Sequence, residues 1–215
     1  MGERETANNK DIYLSLFNVV PTKAQERQIK IIEAAVEDFA SLGIEKTTYE
    51  SVAKRSKVSR PLVHHYFPDK EVLIERAITY VRANFQSFVV KAIQGKEKAD
   101  DQLNAYIVST FDWLKRYPNH VKVWLLFYYY CGVNPKYRKL NSDLVDIGHK
   151  RIEAMLELGR VQKRFVVKNG PETVKLIQLL VTGGLLAGCT ENADLKVLQS
   201  QVIHGCNRFV FEKMS

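Results

Sequence analysis

Between Thr47 and Lys70 the sequence TTYESVAKRSKVSRPLVHHYFPDK concentrates side chains that can hold phosphates and read polar edges. Lys57, Arg60 and Lys70 carry positive charge, Thr47, Thr48, Ser59 and Tyr66 carry hydroxyls, and His64 and His65 carry ring nitrogens. Charged and hydroxyl groups of this kind position a protein on a nucleic-acid backbone, and Arg or His on a helix can donate to base edges in a groove. Residues 46–70 hold Lys46, Lys54, Arg55, Lys57, Arg60 and Lys70 against Glu50 and Asp69. Half of the net charge of +8 therefore sits in this stretch. That placement points to a polyanionic partner more firmly than the total does.

The spacing also supplies a scaffold. Thr47 or Thr48 can cap a short helix, and Glu50, three residues after Thr47, gives the capping-box spacing. Val52 and Ala53 give that helix a small apolar face before Ser56-Lys57-Val58 breaks the period. Ser59 then offers a second cap, followed by Arg60 and by Pro61, which suits a first helical turn. The second helix is expected to end near Tyr66, with Val58, Leu62 and Phe67 inward and Arg60, His64, His65 and Tyr66 on the outer face and its edges. Two short helices joined by a tight turn form a helix-turn-helix, whose second helix is the one that enters a groove.

Thr47-Thr48, Val52-Ala53, Val58-Ser59-Arg60, the triplet His65-Tyr66-Phe67, and Lys70-Glu71 with Leu73 resemble the DNA-binding signature of the tetracycline-repressor (TetR) family. Two positions depart from it. The usual small residue and glycine of the turn are Ser56-Lys57, and the usual aromatic before His65 is His64. Lys57 therefore needs either an ordinary turn geometry or a left-handed one at some energetic cost. The resemblance implies DNA contacts at Thr47, Thr48, Lys57, Ser59, Arg60, Pro61, His64, His65, Tyr66 and Lys70. It further implies a homodimer on a palindromic operator in double-stranded DNA, with a small-molecule effector of apolar or aromatic character.

The rest of the chain reads as helix. With 46% apolar residues, 11 glycines and 6 prolines in 215 residues, and with no sustained strand alternation, an all-α fold of about nine helices is expected. Residues 1–21 form an N-terminal extension, 22–68 the DNA-binding domain, and 69–215 a helical ligand-binding and dimerisation domain. Within the extension, Ile12–Val20 is apolar and is expected to pack on the body or on a partner subunit. Asp11 precedes it and no small-residue cleavage site follows, which argues against a secretory signal. The myristoylation-like start, Met1-Gly2 to Thr6, is too short a pattern to carry weight.

Thr22 and Gln25 open a helix that Gly43 closes, and Ile29, Ile32, Val36 and Phe39 give it one apolar face. Asp69 caps a long helix to about Ile93, which continues into the second domain without a linker. A helix over 100–116 follows, then a turn at Tyr117-Pro118, and then Asn119–Cys131, whose apolarity all round predicts burial. Phe85, Phe88, Tyr106, Thr110, Trp113, His120, Trp124, Phe127 and Tyr128 either line an effector cavity or form ordinary core; the resemblance favours a cavity. After a turn at Gly132–Pro135 comes a charged helix over 137–163. Asp146, His149 and Glu153 share one face of it, a spacing more typical of a salt-bridged surface than of a metal site.

The last two helices, over 171–190 and 193–212, carry Gly184 and Gly188 and the apolar residues Leu195, Leu198, Val202 and Phe209. They either pair two subunits, as the resemblance implies, or close the core of one. The first is interrupted by Gln178 and reads as too short to span a membrane. Cys131, Cys189 and Cys206 form neither a disulfide framework nor a zinc motif, so a reducing cytoplasm is expected, with no cofactor and no metal. No GxGxxG, P-loop, HExxH or GxSxG spacing occurs, which leaves nothing to support an enzyme. Two readings compete with a ligand-released repressor. One is an all-helical small-molecule-binding protein or enzyme whose helix-turn-helix is only packing; the other is an activator or architectural DNA-binding protein without an effector.

Overall fold

A computed structural model describes residues 22–211, so the expected packing of Ile12–Val20 lies outside the described residues. Helices begin where local chemistry satisfies their free N–H groups. The Thr22 hydroxyl accepts from the Gln25 N–H at 3.3 Å while the Gln25 side chain accepts from the Thr22 N–H at 2.7 Å, which opens α1 (Lys23–Leu42). Gly43, at φ +82°, ends it. After α2 (Tyr49–Ser56) and α3 (Arg60–Tyr66), Asp69 accepts from the Val72 N–H at 2.8 Å at the start of α4 (Lys70–Ile93). Then follow α5 (Ala99–Arg116), α6 (Pro118–Val133) and α7 (Pro135–Val161), the last opened by Asn134 with Pro135 in its first turn. Asn169 caps α8 (Gly170–Thr190), and α9 is Leu195–Phe211. The described residues are thus all-helical outside their connections, as expected.

Their contacts divide into two compact units, one holding residues up to Ser87 with Tyr117–Phe127, the other Phe88–Arg116 with the residues from Tyr128 onward. The first unit takes in most of α4 and the opening turns of α6. In that unit α1 packs on α2 and α2 on α3. Its core is built from Ile29, Ile32, Val36 and Phe39 of α1 with Val52, Val63, Phe67 and Leu73. The inward residue of α3 is Val63, whereas Leu62 and Val58 are only half-buried. Polar contacts also tie α1 to α4 and α6: Tyr80 Oη donates to Glu33 Oε1 at 2.7 Å and Asn119 Nδ2 to Glu37 Oε2 at 2.6 Å.

In the second unit α5, α7, α8 and α9 pack on one another around Leu103, Tyr106, Ile107, Phe111, Trp113, Ile152, Ile177 and Cys206. The small residues of α8 have an intramolecular cause. A Cβ at Gly184 would lie 2.7 Å from Val202 Cγ2 and 3.0 Å from Phe111 Cζ, and one at Gly188 2.9 Å from Leu195 Cδ2 and 3.1 Å from Leu114 Cδ1. Both glycines, with Val202, therefore seat α8 on α5 and α9 of the same chain. The outer side of α8 lies elsewhere, at Leu179 and Gly183; Leu179 is 68% exposed and a Cβ at Gly183 would meet open space.

Three local expectations are corrected. Gly132 and Val133 continue α6, so the following turn shrinks to Asn134. The apolar α6 is not buried all round: Val121, Val123 and Phe127 are buried, but Tyr129 and Val133 are 65% and 63% exposed, because a helix buries only the faces its neighbours cover. Finally, α8, at 21 residues with mean hydropathy 1.4 over its most apolar stretch, is long and apolar enough to cross a membrane by length and composition. It packs instead on α5, α7 and α9.

Candidate nucleic-acid interface and aromatic clusters

The helix-turn-helix is closed by local hydrogen bonds. Thr48, not Thr47, caps α2: its hydroxyl accepts from the Ser51 N–H and the Ser51 hydroxyl accepts from the Thr48 N–H, both at 3.1 Å. The box is thus Thr48–Ser51 in place of the expected Thr47–Glu50. Thr47 turns inward, buried, with its hydroxyl donating to the Gly43 carbonyl at 2.9 Å. It shapes the corner between α1 and α2 and leaves the outer face to the others.

The turn itself is left-handed at Lys57 (φ 58°, ψ 40°). The Lys57 N–H donates to Lys54 O at 3.4 Å and the Val58 N–H to Ala53 O at 3.1 Å, the two bonds of a Schellman cap. An L-residue with a Cβ in this conformation costs roughly 1–2 kcal/mol. Lys57→Gly is therefore expected to stabilise the protein by about 1 kcal/mol, less than the full strain because glycine gains freedom in the unfolded chain. An unchanged or lower denaturation midpoint would contradict the strain argument.

Ser59 occupies the N-cap of α3, yet its side chain makes no capping bond, so its hydroxyl is not spent on the helix. Arg60, Pro61, His64 and His65 are exposed and Tyr66 is half-buried. His64 packs edge-on against Tyr49 at 5.6 Å between ring centroids, and His65 against Tyr66 at 5.3 Å. The Lys70 ammonium donates to the Glu45 carbonyl at 3.0 Å, which ties the first turn of α4 to the α1–α2 corner. Between α1 and α2 lies an ion pair with no local sequence signal: Arg55 Nε donates to Asp38 Oδ1 at 2.5 Å. Its other carboxylate oxygen, buried, has no hydrogen-bond partner. Tyr49 lines the corner that holds Glu45 and Lys70. Burial, and then the charge of Asp69, raise its pKa above the ordinary tyrosine range.

The expected effector residues divide between the two units. In the first, Phe85 meets Trp124 edge-on at 5.3 Å, and His120 lies against Tyr80 at 5.8 Å and Tyr117 at 5.0 Å, with Phe127 buried nearby in sequence. Burial pushes His120 down to about 4, so it is neutral above that pH. In the second, Tyr106, Thr110 and Trp113 are buried, Phe88 and Tyr128 half-buried. The Thr110 hydroxyl is engaged by its own helix, donating to Tyr106 O at 2.9 Å. Burial raises Tyr106 to about 12. Phe88 lines a surface cavity of about 550 Å³ between α4 and α5, whose charged rim is Lys91, Lys96, Asp101 and Asp112.

Burial also raises the pKa of all three thiols, Cys189 to about 11 and Cys206 to about 12. They stay protonated at neutral pH. Among the described residues no group of three His, Cys, Asp or Glu could hold a metal ion.

Comparison with known proteins gives a consistent picture. Residues 31–77 match the family model described as bacterial regulatory proteins, tetR family. The HTH-type transcriptional regulator BetI of Burkholderia cenocepacia (strain HI2424) is 27% identical over 115 residues, 53% of this chain. BetI of Paraburkholderia phymatum is 29% identical over 115 residues. In both cases the chain covers only 59% of the relative's length. Similar folds include a TetR transcription regulator from Haloarcula marismortui (TM-score 0.78, 12% identity, 86% of this chain and 98% of that one). Another is a transcriptional regulator from Saccharomonospora viridis solved in complex with choline (TM-score 0.78, 18% identity, 89% and 100%).

Proposed function

Since the chain belongs to the TetR family of transcriptional regulators, we propose that it is a homodimeric repressor released from its operator by a small molecule. The observation that carries this reading is the outer face of α3. Arg60, His64 and His65 stand exposed on it, behind the free Ser59 hydroxyl and beside Thr48 and Lys70. Arg60 is the base reader, with His65 second. Thr48, Lys57, Ser59, Tyr66 and Lys70 hold phosphates. Two copies pair through the outer sides of α8 and α9, where Leu179, Val197 and Phe211 are exposed, and meet half-sites about 34–36 Å apart.

The test is footprinting on DNA flanking its own gene across a salt series. Specific regulation predicts a protected palindrome, and binding with no protected site would sink it. Arg60→Ala is expected to cost about 1–3 kcal/mol and to relax preference at one base pair per half-site. Loss of affinity that is uniform across sequences would assign Arg60 to phosphate instead.

The effector is an apolar or aromatic molecule, bound by residues of these aromatic clusters. A second effector class has support of its own. The rings of Tyr80, Tyr117, His120, Phe85 and Trp124 are the chemistry that holds quaternary ammonium ions, and the Saccharomonospora viridis regulator was solved with choline. Calorimetry with choline, with Trp124→Ala as comparison, separates the two: no heat from choline removes the second class. In either case the effector's leverage is its differential affinity for the free and DNA-bound states.

A further inference from the structure

The corner that holds the proposed DNA contacts also encloses a cavity of about 500 Å³. It lies among the end of α1, the start of α2, Arg60 of α3 and the first turn of α4. Its floor is apolar, made by Phe39 and Leu73, both almost fully buried. Tyr49 forms a wall, and its hydroxyl is buried with no protein hydrogen-bond partner. The rim carries the cations of Arg60 and Lys70 and the carboxylates of Glu45 and Glu50. One proton of the Lys70 ammonium goes to the Glu45 carbonyl, and an ammonium has three to give.

A backbone phosphate can use the two cations but has no use for an apolar floor. The volume falls in the range of small-molecule sites, which combine apolar walls with a few convergent polar groups. We propose that this cavity binds a small aromatic acid that also carries a hydrogen-bond donor. The ring lies against the Tyr49 side chain over Phe39 and Leu73, the acid group meets Arg60 and Lys70, and the donor meets Glu45 or Glu50. Resting on the proposed function, a consequence follows: Arg60, Lys70 and Thr48 cannot serve this ligand and DNA at once. Such a molecule competes with the operator directly, in addition to any effector bound by the aromatic clusters.

The probe is anilinonaphthalene sulfonate, which joins aromatic rings, one sulfonate and one N–H. Titrated into the full chain, it is expected to show a saturable fluorescence component. Tyr49→Ala, which removes the ring wall, and Lys70→Gln, which removes a rim cation, should each weaken that component at least about fivefold, with unchanged circular dichroism in both. Unaltered affinity in both variants overturns the proposal. In the wild type, duplex DNA should displace this component, and a ternary complex that retains it overturns direct competition. A chain that binds no DNA yet shows the Tyr49 and Lys70 dependence would refute the repressor reading while upholding the cavity.

Discussion

Arg55→Ala is expected to destabilise the DNA-binding unit by about 3–5 kcal/mol, read as a lower urea midpoint at unchanged slope. Asp38 on α1 is 1% exposed, and its carboxylate is held at 2.5 Å by a guanidinium from α2. Removing the cation leaves a charge in a place where water cannot replace it. The reverse change is milder. Asp38→Ala strands a guanidinium that is 46% exposed and can be rehydrated, so a loss of about 1–2 kcal/mol is expected. The order of the two is the discriminating result. Equal losses would mean that the pair acts mainly by packing. Because the bond joins α1 to α2, Arg55→Ala should also lower apparent DNA affinity before the rest of the chain unfolds.

Trp113→Ala is expected to cost about 3–5 kcal/mol of global stability. Trp113 is fully buried in α5, among the largest side chains of the second unit's core. An alanine there loses the indole's burial and leaves a void that the neighbouring helices close only in part. The sequence offered two roles for this residue, cavity wall or core, and the experiment separates them. A variant of near-native stability that had lost only its response to effector would make Trp113 a ligand wall.

How much could be read in advance depended on how local its cause was. Helix starts were legible where the cap is local: Thr22 with Gln25 and Asp69 each act within a turn, and the structure uses them, whereas Pro135, read as part of a turn, in fact opens α7. The family signature likewise lies within some two dozen neighbouring residues. What escaped was set by contacts distant in sequence. Asp38 and Arg55 are 17 residues apart and nothing in either helix marks them as a pair. Tyr49 looks like one residue of a short helix until α3 brings His64 against it. In α3, seven residues are too few for periodicity to choose between Leu62 and Val63. Small residues at Gly184 and Gly188 signal close approach, but which helix approaches is decided by the fold, and it is the chain's own.

The left-handed Lys57 sets two properties of the protein against each other. The same residue that strains the turn adds an exposed cation to the proposed DNA face. In the proposed complex, each phosphate neutralised by a lysine releases counterions, and the logarithm of affinity falls with the logarithm of salt by about 0.9 per contact. Lys57→Gly should therefore fold more stably and yet bind with a salt exponent smaller by about one per subunit. Stability conceded at a single backbone position would then be recovered as attraction along the whole approach to DNA.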